Sequence, residues 1–139
     1  MSILISKFFE PKSIHVTDIE SHVDLIRQNI ELNNAQKCCN SCVYDWLQSD
    51  TGVYDIILAF ECVYKEELYE GLINSMSRLC HSNTIIFLGL TRSFSKPYFF
   101  NILSQRGFQY MLIPQECFEE QYGADFANGN LGLFVIRRN

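Results

Sequence analysis

Two apolar runs constrain this chain more than anything else in it: YDIILAF at residues 54–60 and TIIFLGL at residues 84–90. Each is nearly continuous in Ile, Leu and Phe and offers no alternating polar face to solvent. Such runs read as strands at the centre of a sheet, covered on both sides. Between them, Leu68, Leu72, Ile73, Met76, Leu79 and Cys80 recur at helical spacing over residues 65–80. A strand, a helix and a second strand in succession predict a crossover unit with parallel strands, and hence an α/β layer fold.

The flanks continue the alternation. Residues 2–9 place Leu4, Ile5, Phe8 and Phe9 on one helical face, and Pro11 bars the helix from going further. SIHVT at 13–17 reads as a short strand. A helix follows over 21–33, with Val23, Ile26 and Ile30 as its buried stripe, Ser21 and Asp24 close to a capping box, and Asn33-Asn34 as its stop. A weaker strand is expected around 42–44. After residue 90, a helix over 96–105 has Ser95 as its N-cap and Pro97 in its first turn, where a missing N–H costs little. Gly107 ends it. Strands over 109–113 and 131–136 close the chain as a hairpin, across a loop carrying Glu116, Glu119, Glu120 and Asp125. The 139 residues are expected to form one domain.

Composition narrows the function classes. Apolar residues make up 47% and charged residues 19%, which suits a buried core rather than disorder. The net charge of −5 lacks the basic footprint of a duplex nucleic-acid binder. No apolar run reaches the roughly 18 residues of a membrane span. Residues 1–9 are too short for a signal peptide. No nucleic-acid or membrane partner is expected, and the predicted location is the cytoplasm, with the nucleus as the alternative. Of six cysteines, Cys38, Cys39 and Cys42 cluster in CCNSC. No second Cys or His pair stands at matching spacing, so no metal site is expected, and the thiols read as reduced and structural.

Open parallel sheets bind ligands beyond the carboxyl ends of their strands. Asp18 follows the SIHVT strand, where a carboxylate can accept from both hydroxyls of a ribose or simply cap the next helix. Asp45-Trp46 ends the following strand. Its carboxylate can accept from an exocyclic amine and its indole can stack on adenine; alternatively, the Trp covers the sheet edge. Glu61-Cys62-Val63-Tyr64 follows YDIILAF and sets a carboxylate and a phenol about one helical turn apart; a capping Glu and a packed Tyr would look the same.

Taken together, VTDIESHVDLIRQNIELNN, VYDWLQ and YDIILAFECVYKEELYEGLINSMSRL resemble consecutive motifs of the methyltransferase-16 family of seven-β-strand, class I methyltransferases. The family pattern has an acidic residue after its second strand, Asp-Trp after its third and D/E-x-x-Y/F after its fourth. Asp18, Asp45-Trp46 and Glu61 to Tyr64 match in order and spacing. Thr91-Arg92-Ser93-Phe94 and GFQYMLIP are consistent with it but less diagnostic. The resemblance runs over nearly the whole chain.

It implies a Rossmann-like sheet with a terminal antiparallel hairpin. It also implies S-adenosyl-L-methionine as cofactor and methyl transfer to a protein side chain, lysine above all. By motif position, Asp18, Asp45 and Trp46, with Ala59 and Phe60 at the end of the central strand, would hold the cofactor. Glu61 would orient the incoming amine, and Tyr64 would wall the lysine channel.

One departure stands out. The family opens with a strand and a glycine-rich acidic loop, whereas the first glycine here is Gly52. The expectation is therefore a partial methyltransferase domain over residues 1–139 lacking the first strand and its loop, with a longer parent upstream. In the family topology that strand lies between the second and fourth. Its absence would leave unpaired backbone groups on both neighbours unless they close up or another chain fills in. Two readings stay open: an active protein-lysine methyltransferase, or a non-catalytic remnant or interaction module unable to bind cofactor. A dinucleotide oxidoreductase fits less well, because no nicotinamide fingerprint is present.

Overall fold

The computed structural model describes residues 1–47, 52–91, 96–114, 116–117 and 131–139. They fall into two compact units, Met1–Thr51 and Gly52–Asn139.

The first unit contains α1 (Ser2–Phe8), β1 (Ile14–Asp18), α2 (Glu20–Leu32) and β2 (Cys39–Val43). β1 and β2 are parallel, with Ile14 opposite Cys39 and Asp18 opposite Val43. The strand expected around 42–44 thus begins three residues earlier. Ile30, Ala35 and Cys39 are buried together, and Ile3, Ile14, Val16, Ile26 and Cys38 pack against them. The stripe of α2 therefore lands as its periodicity predicts. The apolar row of α1 does not: Ile3 turns inward, while Leu4, Phe8 and Phe9 are exposed. A single row on a seven-residue helix leaves its rotation to whatever it meets.

The expected Ser21–Asp24 capping box does not form. Asp24 instead binds Arg27 at 2.8 Å; the N-cap is Ile19, which makes no side-chain cap, and Asp18 just before it accepts the Ile19 N–H at 2.8 Å. Asn34, in the left-handed region with φ 53°, completes the stop after α2.

The second unit contains β3 (Tyr54–Phe60), a 3-10 turn (Glu66–Leu68), α3 (Tyr69–Leu79), β4 (Cys80–Thr91), α4 (Pro97–Gln105), β5 (Phe108–Leu112) and β6 (Leu131–Arg138). Its sheet has the order β3-β4-β6-β5. β3 and β4 are parallel, while β6 runs antiparallel to both β4 and β5. The crossover and the terminal hairpin are both present. Pro97 opens α4 as expected; Ser95 lies outside the described residues. The helix expected from residue 65 starts as the 3-10 turn and becomes α-helical at Tyr69. β4 reaches back to Cys80, longer at its start than the TIIFLGL run.

β4 meets its expectation of a covered strand, with Ile86, Leu88, Gly89 and Leu90 all buried. β3 does not. It is the edge of its sheet, and Ile56 and Leu58 on one face remain 59% and 37% exposed while Ala59 on the other is buried. A run of Ile and Leu specifies a strand, but its neighbours decide how much of it is covered. Among the described residues β1 pairs with β2 in the first unit and β3 with β4 in the second.

The core of this unit is aromatic. Phe99 is fully buried, with Tyr69 edge-on at 5.4 Å and Phe100 edge-on at 5.4 Å. Arg106 ties α4 back to α3 through Asn74 at 2.7 Å and Glu70 at 3.1 Å. The hydroxyl of buried Tyr69 has no hydrogen-bond partner among the described residues. An unsatisfied buried hydroxyl costs about 1–3 kcal/mol. Tyr69→Phe is therefore expected to leave stability unchanged or raise it by about 1 kcal/mol, read from urea midpoints. A loss larger than that would reveal a partner for the hydroxyl.

No helix among the described residues is long and apolar enough to cross a membrane. Nor do any three His, Cys, Asp or Glu among them gather as a metal would require. Burial pushes the Cys39, Cys42 and Cys80 thiols upward, which keeps them protonated and packed.

Candidate functional site

In the first unit, the parallel pairing of β1 and β2 brings Asp18 and Asp45-Trp46 to the same, carboxyl end of the two strands. The Tyr44 N–H donates to the Asp18 carbonyl at 2.9 Å and locks the two strand ends together. Buried Tyr44 anchors the turn that carries half-buried Asp45 and Trp46. The Asp45 carboxylate accepts the Leu47 N–H at 2.9 Å, which fixes the turn. Asp18 is half-exposed; its Oδ1 takes the Ile19 N–H at 2.8 Å and faces His22 Nδ1 at 3.1 Å. Its Oδ2 has no partner among the described residues and can accept from a ligand hydroxyl.

The expected side-chain cap of α2 is not made, and both contacts of the Asp18 carboxylate use Oδ1. This rim holds two carboxylates and an indole at the mouth of a parallel pair, next to the start of α2. Carboxylates there can accept from hydroxyl or amine groups, and an indole can stack on a planar ring.

In the second unit, Ala59, Phe60, Glu61 and Tyr64 stand at the carboxyl end of β3. Ala59 is buried. The ring of Phe60 lies across Gly89 of β4 so closely that a Cβ there would stand 2.3 Å from Phe60 Cδ1. Gly89 is therefore required by the ring, and Phe60 spends its aromatic face on the neighbouring strand. Glu61 leaves β3 in the left-handed region, with φ 54°. For a residue other than glycine that conformation costs on the order of 1–3 kcal/mol and persists only where neighbours enforce it. Here the Glu61 N–H donates to the Gly89 carbonyl at 2.9 Å, and Thr91 Oγ1 donates to Glu61 Oε1 at 2.6 Å.

Glu61, Val63, Tyr64, Leu90, Thr91 and Lys96 line one cleft of about 180 Å³. Buried Val63 anchors the segment, and exposed Tyr64 forms one wall. Residues 61–65 are irregular rather than helical, so the turn of helix expected between Glu61 and Tyr64 is absent; the cleft brings them together instead. A larger cavity of about 480 Å³, floored by Phe100, Tyr110 and Phe134, shares Leu90, Thr91 and Lys96 with it.

Thr91 and Lys96 were not singled out by sequence reasoning. Thr91 could have been found by register: Phe60 pairs with Gly89, which sets Glu61 level with Leu90 and leaves Thr91 one position further, within side-chain reach. Arg92, Ser93 and Phe94, part of the family-like tail motif, lie outside the described residues.

Solved structures share this fold. The StiE O-methyltransferase domain matches with a TM-score of 0.68 at 15% identity, over 99% of this chain and 63% of that one. A TehB-like SAM-dependent methyltransferase from Corynebacterium glutamicum matches at 0.65 and 12% identity, over 91% and 68%. The cyclase SpnF matches at 0.69 and 9% identity, over 99% and 69%. The chain thus spans about three-fifths of the StiE domain. At such identities the likeness is one of fold: a Rossmann-like, class I methyltransferase α/β architecture. Chemistry does not follow from fold, and the sequence supplies the further link. Residues 1–106 match the family model described as lysine methyltransferase, covering both strand-end rims. The chain belongs to the lysine methyltransferase family, whose methyl donor is S-adenosylmethionine.

Proposed function

We propose that this chain serves S-adenosylmethionine-dependent methylation of a lysine side chain on a protein substrate, in the cytoplasm or nucleus. The observation that carries the reading is Glu61: a carboxylate held in a left-handed conformation, at the carboxyl end of a parallel strand, in a cleft beside Tyr64. Strained non-glycine backbone of this kind clusters at functional sites.

When bound, the cofactor supplies an electrophilic sulfonium methyl. Asp18 Oδ2 would accept from the ribose hydroxyls, Asp45 from the adenine amine, and Trp46 would stack on the ring. Ala59 and the backbone of Phe60 would border the methyl-donating side. Glu61 would accept an N–H of the incoming amine and aim its lone pair, while Tyr64 confines the alkyl stem. In-line displacement needs such alignment more than covalent help. A lysine must arrive neutral, and an apolar wall such as Val63 and Leu90 favours the uncharged amine by desolvation.

Ligand that binds only the native state stabilises it, by about 2.7 kcal/mol at a hundredfold excess over Kd. S-Adenosylhomocysteine is therefore expected to raise the melting temperature of the purified chain by several degrees. Asp18→Ala should weaken that binding about tenfold, the equivalent of one lost hydrogen bond to a charged acceptor, by isothermal titration. Asp18→Ala also removes the acceptor of the Ile19 N–H, so Asp18→Asn, which keeps an oxygen there, serves as the comparison. Unchanged affinity in Asp18→Ala would reject the ribose role.

A second reading is favoured by one specific observation: residues 1–51 hold no glycine, so they include no glycine-rich turn ahead of β1 that could cradle the methionine part of the cofactor. On that reading the chain is a non-catalytic interaction module. Absence of any thermal shift with S-adenosylhomocysteine would decide for it.

A further inference from the structure

We propose that Thr91 is the positioning residue for Glu61, acting from the neighbouring strand to fix the direction in which the carboxylate meets its substrate. The inference rests on the methyl-transfer reading of the Glu61 cleft. Two hydrogen bonds from β4 hold Glu61, and they constrain different parts of it. The Gly89 carbonyl takes the Glu61 N–H at 2.9 Å and fixes the backbone as it leaves β3. Thr91, two residues further along β4, donates its hydroxyl to Oε1 at 2.6 Å and fixes the side chain. That length lies at the short end of the range for a hydroxyl donating to an oxygen acceptor.

Thr91 is the last residue of β4, two beyond Gly89 where the parallel ladder ends, and Thr91 and Glu61 line the same cleft. With Oε1 engaged, Oε2 is the oxygen left without a partner among the described residues. Glu61 is then presented as a single, fixed acceptor. One acceptor oxygen suits one N–H of an amine. The paired N–H groups of a guanidinium need both oxygens for a forked contact. Thr91 thereby contributes to the preference for a lysine side chain as well as to orientation.

Thr91→Val keeps the shape and strand propensity of the residue and deletes only the donor; Thr91→Ser keeps the donor. In the full chain, three-bond NMR couplings should report one χ1 rotamer for Glu61 in the parent and in Thr91→Ser, and averaged rotamers in Thr91→Val. Turnover on a lysine peptide should fall about tenfold in Thr91→Val, with KM for S-adenosylmethionine unchanged, and recover in Thr91→Ser. In a Glu61→Ala background, Thr91→Val should cause no further loss. An unaltered Glu61 rotamer in Thr91→Val would overturn the proposal. So would an equal loss of turnover in the Glu61→Ala background. A parent chain that transfers no methyl group would refute the methyl-transfer reading alone, and the rotamer measurement would still decide the role of Thr91.

Discussion

Phe99→Ala is expected to destabilise the Gly52–Asn139 unit by about 3–5 kcal/mol, the cost of deleting a fully buried aromatic ring and leaving its cavity. Phe99 has no exposed surface, and it joins α4 to Tyr69 of α3 through an edge-on contact at 5.4 Å. Few domains exceed a total stability of about 5–15 kcal/mol, so this one change removes a large share of it. The probe matters. The single Trp, Trp46, belongs to the Met1–Thr51 unit, so its fluorescence reports on the wrong part of the chain. Amide exchange along β4, whose Ile86 and Leu88 are wholly buried, reports on the right one. A loss below about 1 kcal/mol would mean that α4 does not depend on this ring for its packing.

Glu61→Ala is expected to lower methyl-transfer turnover about a hundredfold while leaving the affinity for S-adenosylhomocysteine within a factor of about two. Misplacing a reacting group by about 1 Å can cost that much in rate. Removing the only carboxylate that lines the cleft among the described residues removes the acceptor that aims the amine. The split between turnover and affinity separates this from a folding defect, since a collapsed rim would lose both. Alanine in place of Glu61 leaves the φ of 54° without the Thr91 contact that helps enforce it. Glu61→Gln, which retains an oxygen for Thr91, should therefore be the more stable of the two variants and nearly as slow. If Glu61→Ala keeps more than half of the parent turnover, Glu61 does not orient the acceptor.

The kinds of element and their order were legible in the residues, because periodicity is a local property. Leu72, Ile73 and Met76 repeat as a helix must, and 84–90 is too apolar for any strand but a covered one. The helix boundaries were legible for the same reason: Asn34 at positive φ after α2 and Pro97 in the first turn of α4 act on their own backbone. The Asp18, Asp45-Trp46 and Glu61 positions were legible because strand ends can be counted.

Tertiary structure alone decided how those elements meet. YDIILAF has the composition of a central strand, yet β3 lies at the edge of its sheet with Ile56 and Leu58 uncovered. Coverage depends on which other strand is present, and that information lies outside the run itself. Ser21 does not cap α2, whose N-cap is Ile19, since the strand end delivers the Asp18 carboxylate to the Ile19 N–H instead. The Phe60 ring over Gly89, and the Thr91 hydroxyl 2.6 Å from Glu61, join residues about 30 positions apart through the β3–β4 register. Register is set by the summed packing of two strands and a helix, a long-range quantity that no single motif encodes.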